Sequence, residues 1–85
     1  MINFDELEVN DRFEIAVEHT SSWVVNVPPE HITLAKGEII TIIGKEMFAY
    51  FGYSGKFVLF MKEGRLCKEK WGYLKRVIDP VLKPH

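Results

Sequence analysis

The sequence predicts an all-β domain, a small five- to six-stranded barrel with at most one short helical turn near its N-terminus. Three observations carry that expectation. Five β-branched residues run unbroken from Ile39 to Ile43, side chains that suit a pleated surface in a run too short for a typical helix. Apolar or alternating segments recur along the chain, each closed off by Gly, Pro or polar clusters. Finally, several short strands in an 85-residue chain suggest a closed or nearly closed barrel, because closure removes exposed sheet edges.

Taken in order, Asn3-Phe-Asp-Glu6 has the spacing of a helix N-cap with an acid three residues on. Helical periodicity fades by Val9, so one turn is expected. Arg12 to Glu18 alternates, with Phe13, Ile15 and Val17 on one face and Arg12, Glu14 and Glu18 on the other, as in a half-buried strand. His19-Thr-Ser-Ser22 reads as a polar break and Trp23 to Val27 as the next strand. Pro28-Pro29 ends it, since neither residue can donate to a ladder. Ile32 to Gly44 is the expected centre of the sheet, with Ile40 and Ile42 on one face and Ile39, Thr41 and Ile43 on the other. Apolar side chains on both faces suit a central strand. Glu46 to Tyr53 is aromatic and strand-prone, and Tyr53-Ser-Gly-Lys56 reads as a hairpin tip. Phe57 to Met61 is another strand, and Lys62-Glu-Gly-Arg65 a turn with Gly64 free to take positive φ. Leu66 to Lys70 fits a sheet edge, where lysine discourages further pairing. Trp71-Gly72 leads into a last strand from Tyr73 to Ile78. One domain over residues 1–79 and a short tail over 80–85 follow, with no internal repeat or linker.

Composition narrows the function classes. An apolar fraction of 47% and a net charge of −1 describe an ordinary globular domain with no bulk attraction to nucleic acid or to an anionic membrane. The lone cysteine, Cys67, favours a reducing compartment, and no signal peptide or membrane span is expected, which together point to the cytoplasm. Charge is uneven: residues 1–35 hold Arg12 against seven acids, and residues 56–85 hold eight basic residues against three acids. That asymmetry makes either a bipolar surface or an attraction between the two halves across paired strands.

The run Leu34-Ala-Lys-Gly37-Glu38-Ile39-Ile40-Thr41-Ile42-Ile43 is similar to the second strand of Src-homology-3 domains. Both have a hydrophobic residue, two more residues, then Gly, an acid and alternating aliphatics. On that resemblance His19 to His31 takes the place of the RT loop, Ser54-Gly55 the n-Src turn and Glu63-Gly64 the distal turn. Trp71-Gly72-Tyr73-Leu74 resembles the step into the closing strand. The resemblance implies an SH3-like barrel over residues 9–79 but not the family's polyproline groove. Asp11 to Val17 contains no tyrosine, Phe57 and Val58 replace the tandem Trp, and Leu74, Lys75 and Arg76 stand where Pro and Tyr belong.

No residue pattern points to catalysis, and no cofactor is implied. Asp5, Glu6 and Asp11 lie in polar sequence with no apolar pocket to raise a carboxyl pKa. His19 beside Ser21 and Ser22 has no evident orienting acid. His19, His31 and Cys67 lack metal-ligand spacing, and Gly37 and Gly44 do not make a phosphate loop. Two features carry binding instead. Trp23, Phe48, Tyr50, Phe51 and Tyr53 exceed what a small core needs, and alternation leaves some of them facing solvent. Lys62, Arg65, Lys68, Lys70, Lys75 and Arg76 interleave with Trp71 and Tyr73, a cationic and aromatic mixture suited to nucleic acid. The first feature predicts a non-catalytic protein–protein interaction module: an adaptor, a subunit, or an inhibitor of the sort small phage proteins supply. Its contacts would be Trp23, Tyr50, Phe51, Tyr53 and Trp71. The alternative is a nucleic-acid-binding barrel using Arg65, Lys68, Lys70, Tyr73 and Arg76.

Overall fold

Gly37 divides the Ile32–Gly44 stretch into two strands. At φ +93° it occupies a region that L side chains rarely adopt, and its N–H donates to the Ile15 carbonyl at 2.8 Å. The Glu38 carboxylate tightens the same turn by accepting from the Ala35 N–H at 3.1 Å. The computed structural model describes residues 2–26, 28–50 and 53–81, with the backbone course alone at Ser21, 48–50, 53 and 54.

Among the described residues seven strands form one antiparallel sheet: β1 (Arg12–Ile15), β2 (His19–Val24), β3 (Glu30–Leu34), β4 (Ile39–Tyr50), β5 (Tyr53–Lys62), β6 (Arg65–Lys70) and β7 (Ile78–Pro80). Their order across the sheet is β3-β2-β6-β5-β4-β1-β7, curled into an open half-barrel. This corrects the expected five- to six-stranded closed barrel. Its two ends are blunted rather than joined: β7 spans three residues and ends in Pro80, and β3 begins after Pro29 with Glu30 and His31 in solvent.

One 3₁₀ turn, Phe4–Glu6, stands at the N-terminus as expected, with the Asn3 side-chain amide donating to Glu6 at 3.1 Å. Residues Ile40 and Ile42 are fully buried, whereas Ile39 and Ile43 on the opposite face of β4 remain partly in solvent. A bulge between Ile42 and Gly44 lets the strand pass its glycine and continue to Tyr50. The Lys62–Arg65 turn forms as expected, with Glu63 at φ +52° and Gly64 at φ +76°. Two positive φ values fit a primed hairpin turn, whose twist matches the flanking strands.

Four expectations are corrected. His19 to Ser22 is not a break but the first part of β2, because Ser22 turns inward onto a polar partner in the core. Ser54 and Gly55 are not a turn; they lie in β5 opposite Ala49 and Phe48, and Tyr50 opposite Tyr53 is the last pair. Leu66 to Lys70 is not at an edge, since β6 lies between β2 and β5. The segment Tyr73 to Ile78 is not one strand: a helical turn α1 (Trp71–Leu74) precedes the short β7. Trp71 and Leu74, three residues apart, both turn into the core, which a strand would send to opposite faces.

The core joins Phe13 and Ile15 of β1, Val24, Leu34, Ile40, Ile42, Val58, Phe60 and Cys67 of the following strands, with Phe4, Leu7, Trp71 and Leu74 closing one side. Phe57 is also buried, 8% exposed, but belongs to the opposite, outer face of the sheet with Trp23.

Candidate functional site

β4 and β5 outrun every other strand. β6 ends at Lys70 opposite Phe57, yet the β4–β5 ladder continues through four more pairs: Met47 with Lys56, Phe48 with Gly55, Ala49 with Ser54, and Tyr50 with Tyr53. On the other side β1 pairs only with Ile39 to Thr41. No third strand flanks these four pairs among the described residues, so they form a two-stranded ribbon with both backbone edges open. Met47 at its root is 68% exposed.

The root of the ribbon is held on both faces. On the inner side the Lys45 ammonium donates to the Phe4 carbonyl at 3.2 Å and lies 5.2 Å from the centre of the Phe4 ring, with Lys56 at 5.5 Å. Phe4 in turn packs against Trp71, ring centres 6.4 Å apart. On the outer side Lys68 pairs with Glu46 at 2.6 Å and sits 4.9 Å over the Phe57 ring. Trp23 meets the same ring edge-on at 6.0 Å. The ribbon is therefore anchored by two cation and aromatic clamps, one on each face.

Of the expected protein contacts, Trp23 lies half-buried at this root, while Trp71 is only 6% exposed and belongs to the core. Phe51 lies outside the described residues, as do the side chains of Tyr50 and Tyr53, whose backbones close the ribbon. The residues of the expected basic face are placed as follows. Arg65 pairs with Glu30 at 3.1 Å at one end of β6, and Lys68 is held by Glu46 in its middle. Lys70 lies 5.8 Å over Tyr73 at the other end, and Tyr73 is 51% exposed. Lys62 pairs with Glu38 at 3.1 Å. Of these pairs, Arg65 with Glu30 joins the basic segment to the acidic residues 1–35, while Glu38 and Glu46 lie between the two segments.

Glu69 is the residue that sequence reasoning missed. It is 1% exposed, and one of its carboxylate oxygens lies 2.7 Å from His19 Nε2 and accepts from the Ser22 hydroxyl at 3.1 Å. Its other oxygen accepts from the Lys70 N–H at 2.7 Å. Here is the acid that His19 and Ser22 lacked in sequence. However, the Ser22 hydroxyl donates to the carboxylate and not to the imidazole, and Ser22 is fully buried. The Ser22 hydroxyl proton is thus directed to the carboxylate, not to the ring nitrogen that would serve as its base. The period-2 signal was present: Cys67 and Glu69 share the inward face of β6, with Lys68 and Lys70 outward.

Cys67 is buried, and desolvation pushes its thiol pKa up despite the nearby Lys62 and Arg65 charges. Among the described residues no group of three or more His, Cys, Asp or Glu is placed to hold a metal ion, and no helix is long and apolar enough to cross a membrane. Comparison of the chain with protein-family models, with curated proteins and with solved structures gives no match.

Proposed function

We propose that the protein is a non-catalytic protein–protein interaction module, an adaptor, subunit or inhibitor, that engages its partner through the β4–β5 ribbon and the aromatic root beneath it. One observation carries this reading: four strand pairs stand beyond β6, and among the described residues no third strand flanks them. A two-stranded ribbon is marginal in water, and a partner that adds a strand or covers its apolar residues gains backbone hydrogen bonds and buried area together. Trp23 at the root and the ribbon residues Tyr50 and Tyr53 are the assigned contacts, with Phe51, next to Tyr50 in sequence, added on the sequence pattern alone. Within this reading the half-barrel is an opened variant of the Src-homology-3-like barrel, supported by the β4 motif and the Glu63-Gly64 turn.

The test is capture from native lysate with tagged protein, with and without nuclease, using the wild type and Met47→Lys. A stoichiometric protein that survives nuclease and is lost with the variant supports the module. Retention unaffected by Met47→Lys and Tyr50→Ala would remove the ribbon as the contact.

A second reading, binding of nucleic acid, is favoured by Tyr73, half-exposed under Lys70 and followed by Lys75 and Arg76. Phosphate contacts there would make affinity fall steeply between low and physiological salt. Binding that ignores salt would count against it.

A further inference from the structure

Away from the ribbon, Ile2, β1, α1 with the residues after it, and β7 border an open cleft of about 550 Å³. That volume falls within the range of small-molecule sites, roughly 300–1,000 Å³. Its lining is apolar where it is deepest: Phe13 and Trp71 belong to the core, and Ile2 and Ile78 pack against that core while partly in solvent. Two adjacent cations, Lys75 and Arg76, complete the wall just after α1. No carboxylate of the described residues lies within ion-pair distance of either. Asp79 also borders the cleft, but strand alternation sets it on the face of its register partner Glu14, opposite the face of Ile78 and Pro80.

From this arrangement we infer that the cleft is a binding site for an amphipathic organic anion, an apolar chain or ring carrying one carboxylate. The apolar body lies against Phe13, Trp71, Ile2 and Ile78, and the head group meets Lys75 and Arg76. The division of labour follows from the lining. An uncharged apolar ligand would make no use of the two cations, and a small hydrophilic anion would leave Ile2 and Ile78 uncovered beside the core edges of Phe13 and Trp71. Arginine adds a planar fork that matches a carboxylate in two-point contact.

Decanoate, below its micellar concentration, is the probe, followed by calorimetric titration and by amide and indole shifts in ¹H–¹⁵N spectra. Saturable binding is expected, with shifts centred on the Trp71 indole, Phe13, Ile78 and residues 75–76. Decan-1-ol should bind about tenfold or more weakly, since it lacks the charged head. The double change Lys75→Glu and Arg76→Glu should weaken decanoate by at least about tenfold and favour decylammonium instead. Both side chains border solvent, so the variant should fold; if circular dichroism shows otherwise, Arg76→Gln alone should lower affinity about three- to fivefold. Decanoate affinity should also fall with ionic strength while decan-1-ol affinity does not. Equal binding of acid and alcohol, shifts centred elsewhere, or indifference to charge reversal would each overturn the assignment. Retention on phosphatidylglycerol vesicles without binding of free decanoate would overturn it in favour of a lipid head group at a membrane surface.

Discussion

Replacing Glu69 by Gln tests whether the buried polar cluster holds the sheet together or merely sits within it. The change keeps shape and volume and replaces one carboxylate oxygen by an NH₂ group. In the native protein the Oε2 atom serves His19 and Ser22, and Oε1 serves the Lys70 N–H. A glutamine has one carbonyl oxygen. Turned toward His19 and Ser22, it points its NH₂ group at the Lys70 N–H; turned the other way, it faces two donors with another donor. One orientation leaves the part-buried Lys70 N–H without its acceptor and the other the buried Ser22 hydroxyl, a loss of about 1–3 kcal/mol. Glu69→Ala also opens a cavity and should lose about 3 kcal/mol or more. A domain of this size has only about 4–13 kcal/mol of stability in total, so either change is a large fraction of it.

The assay is urea unfolding followed by far-ultraviolet circular dichroism, with thermal unfolding alongside. For a chain of this length each kcal/mol is worth about 4–8 °C in Tm. A double-mutant cycle with Ser22→Ala isolates the coupling: once the hydroxyl is gone, Glu69→Gln should lose less, with an interaction energy of about 0.5–3 kcal/mol. A Glu69→Gln protein within about 0.5 kcal/mol of the wild type, with no coupling to Ser22, would refute the reasoning. It would mean that the cluster relaxes or admits water without loss.

At the β5–β6 turn, Glu63 holds φ +52° with a side chain poorly suited to it. Glu63→Asn should therefore raise stability by about 0.5–1 kcal/mol, and Gly64→Ala should lower it by about 1–2 kcal/mol, both read from urea midpoints. The raised Cys67 thiol pKa sets the sign of an alkaline effect. The unfolded thiol ionises near its usual 9.0 while the folded one keeps its proton, so the contribution is full below 9.0 and is lost as pH rises toward and through the raised folded value. Cys67→Ala should remove that slope, and a disulfide reagent should modify the native thiol only as fast as the chain unfolds. Phe60→Ala, deep in the core, should lose about 3–5 kcal/mol, whereas Met47→Lys on the ribbon should stay within about 0.5 kcal/mol of the wild type. Unfolding of the Met47 variant would place that residue in the packing and not in a contact surface.

The parts of the fold legible in sequence are those fixed by local sterics. A β-branched run made β4, and a Glu-Gly pair between strands made the β5–β6 turn. What escaped was set by tertiary partners. The lysines of β6 read as an edge strand because lysine beside a ladder usually faces water. Here Glu46 and the rings of Phe57 and Tyr73 receive Lys68 and Lys70, so the strand can lie inside the sheet. Four residues of helix at Trp71 to Leu74 gave too short a period to separate from a strand. His19 and Ser22 were visible as residues but not as a cluster, because their acid lies far along the chain and reaches them only when β2 pairs with β6. The candidate aromatics were legible as an excess; the length by which β4 and β5 outrun their neighbours was not.

That excess length also decides where the sheet has pairing capacity left. An open half-barrel must protect its ends, and this one does so at both: β7 is three residues long and ends in Pro80, and β3 presents Glu30, His31 and Thr33 to solvent. Among the described residues no strand flanks the ribbon. Its edges are open over four pairs, and Met47 at its root is in water. At the same time its root is fixed by Lys45 and Lys56 on Phe4 and by Lys68 and Trp23 on Phe57, so its position does not depend on contacts made further out. Protected ends and an unflanked, well-rooted ribbon separate the residues that hold the fold from those offered to a partner. This separation is why Met47→Lys and Phe60→Ala should divide cleanly, the first altering capture with little change in stability and the second altering stability first.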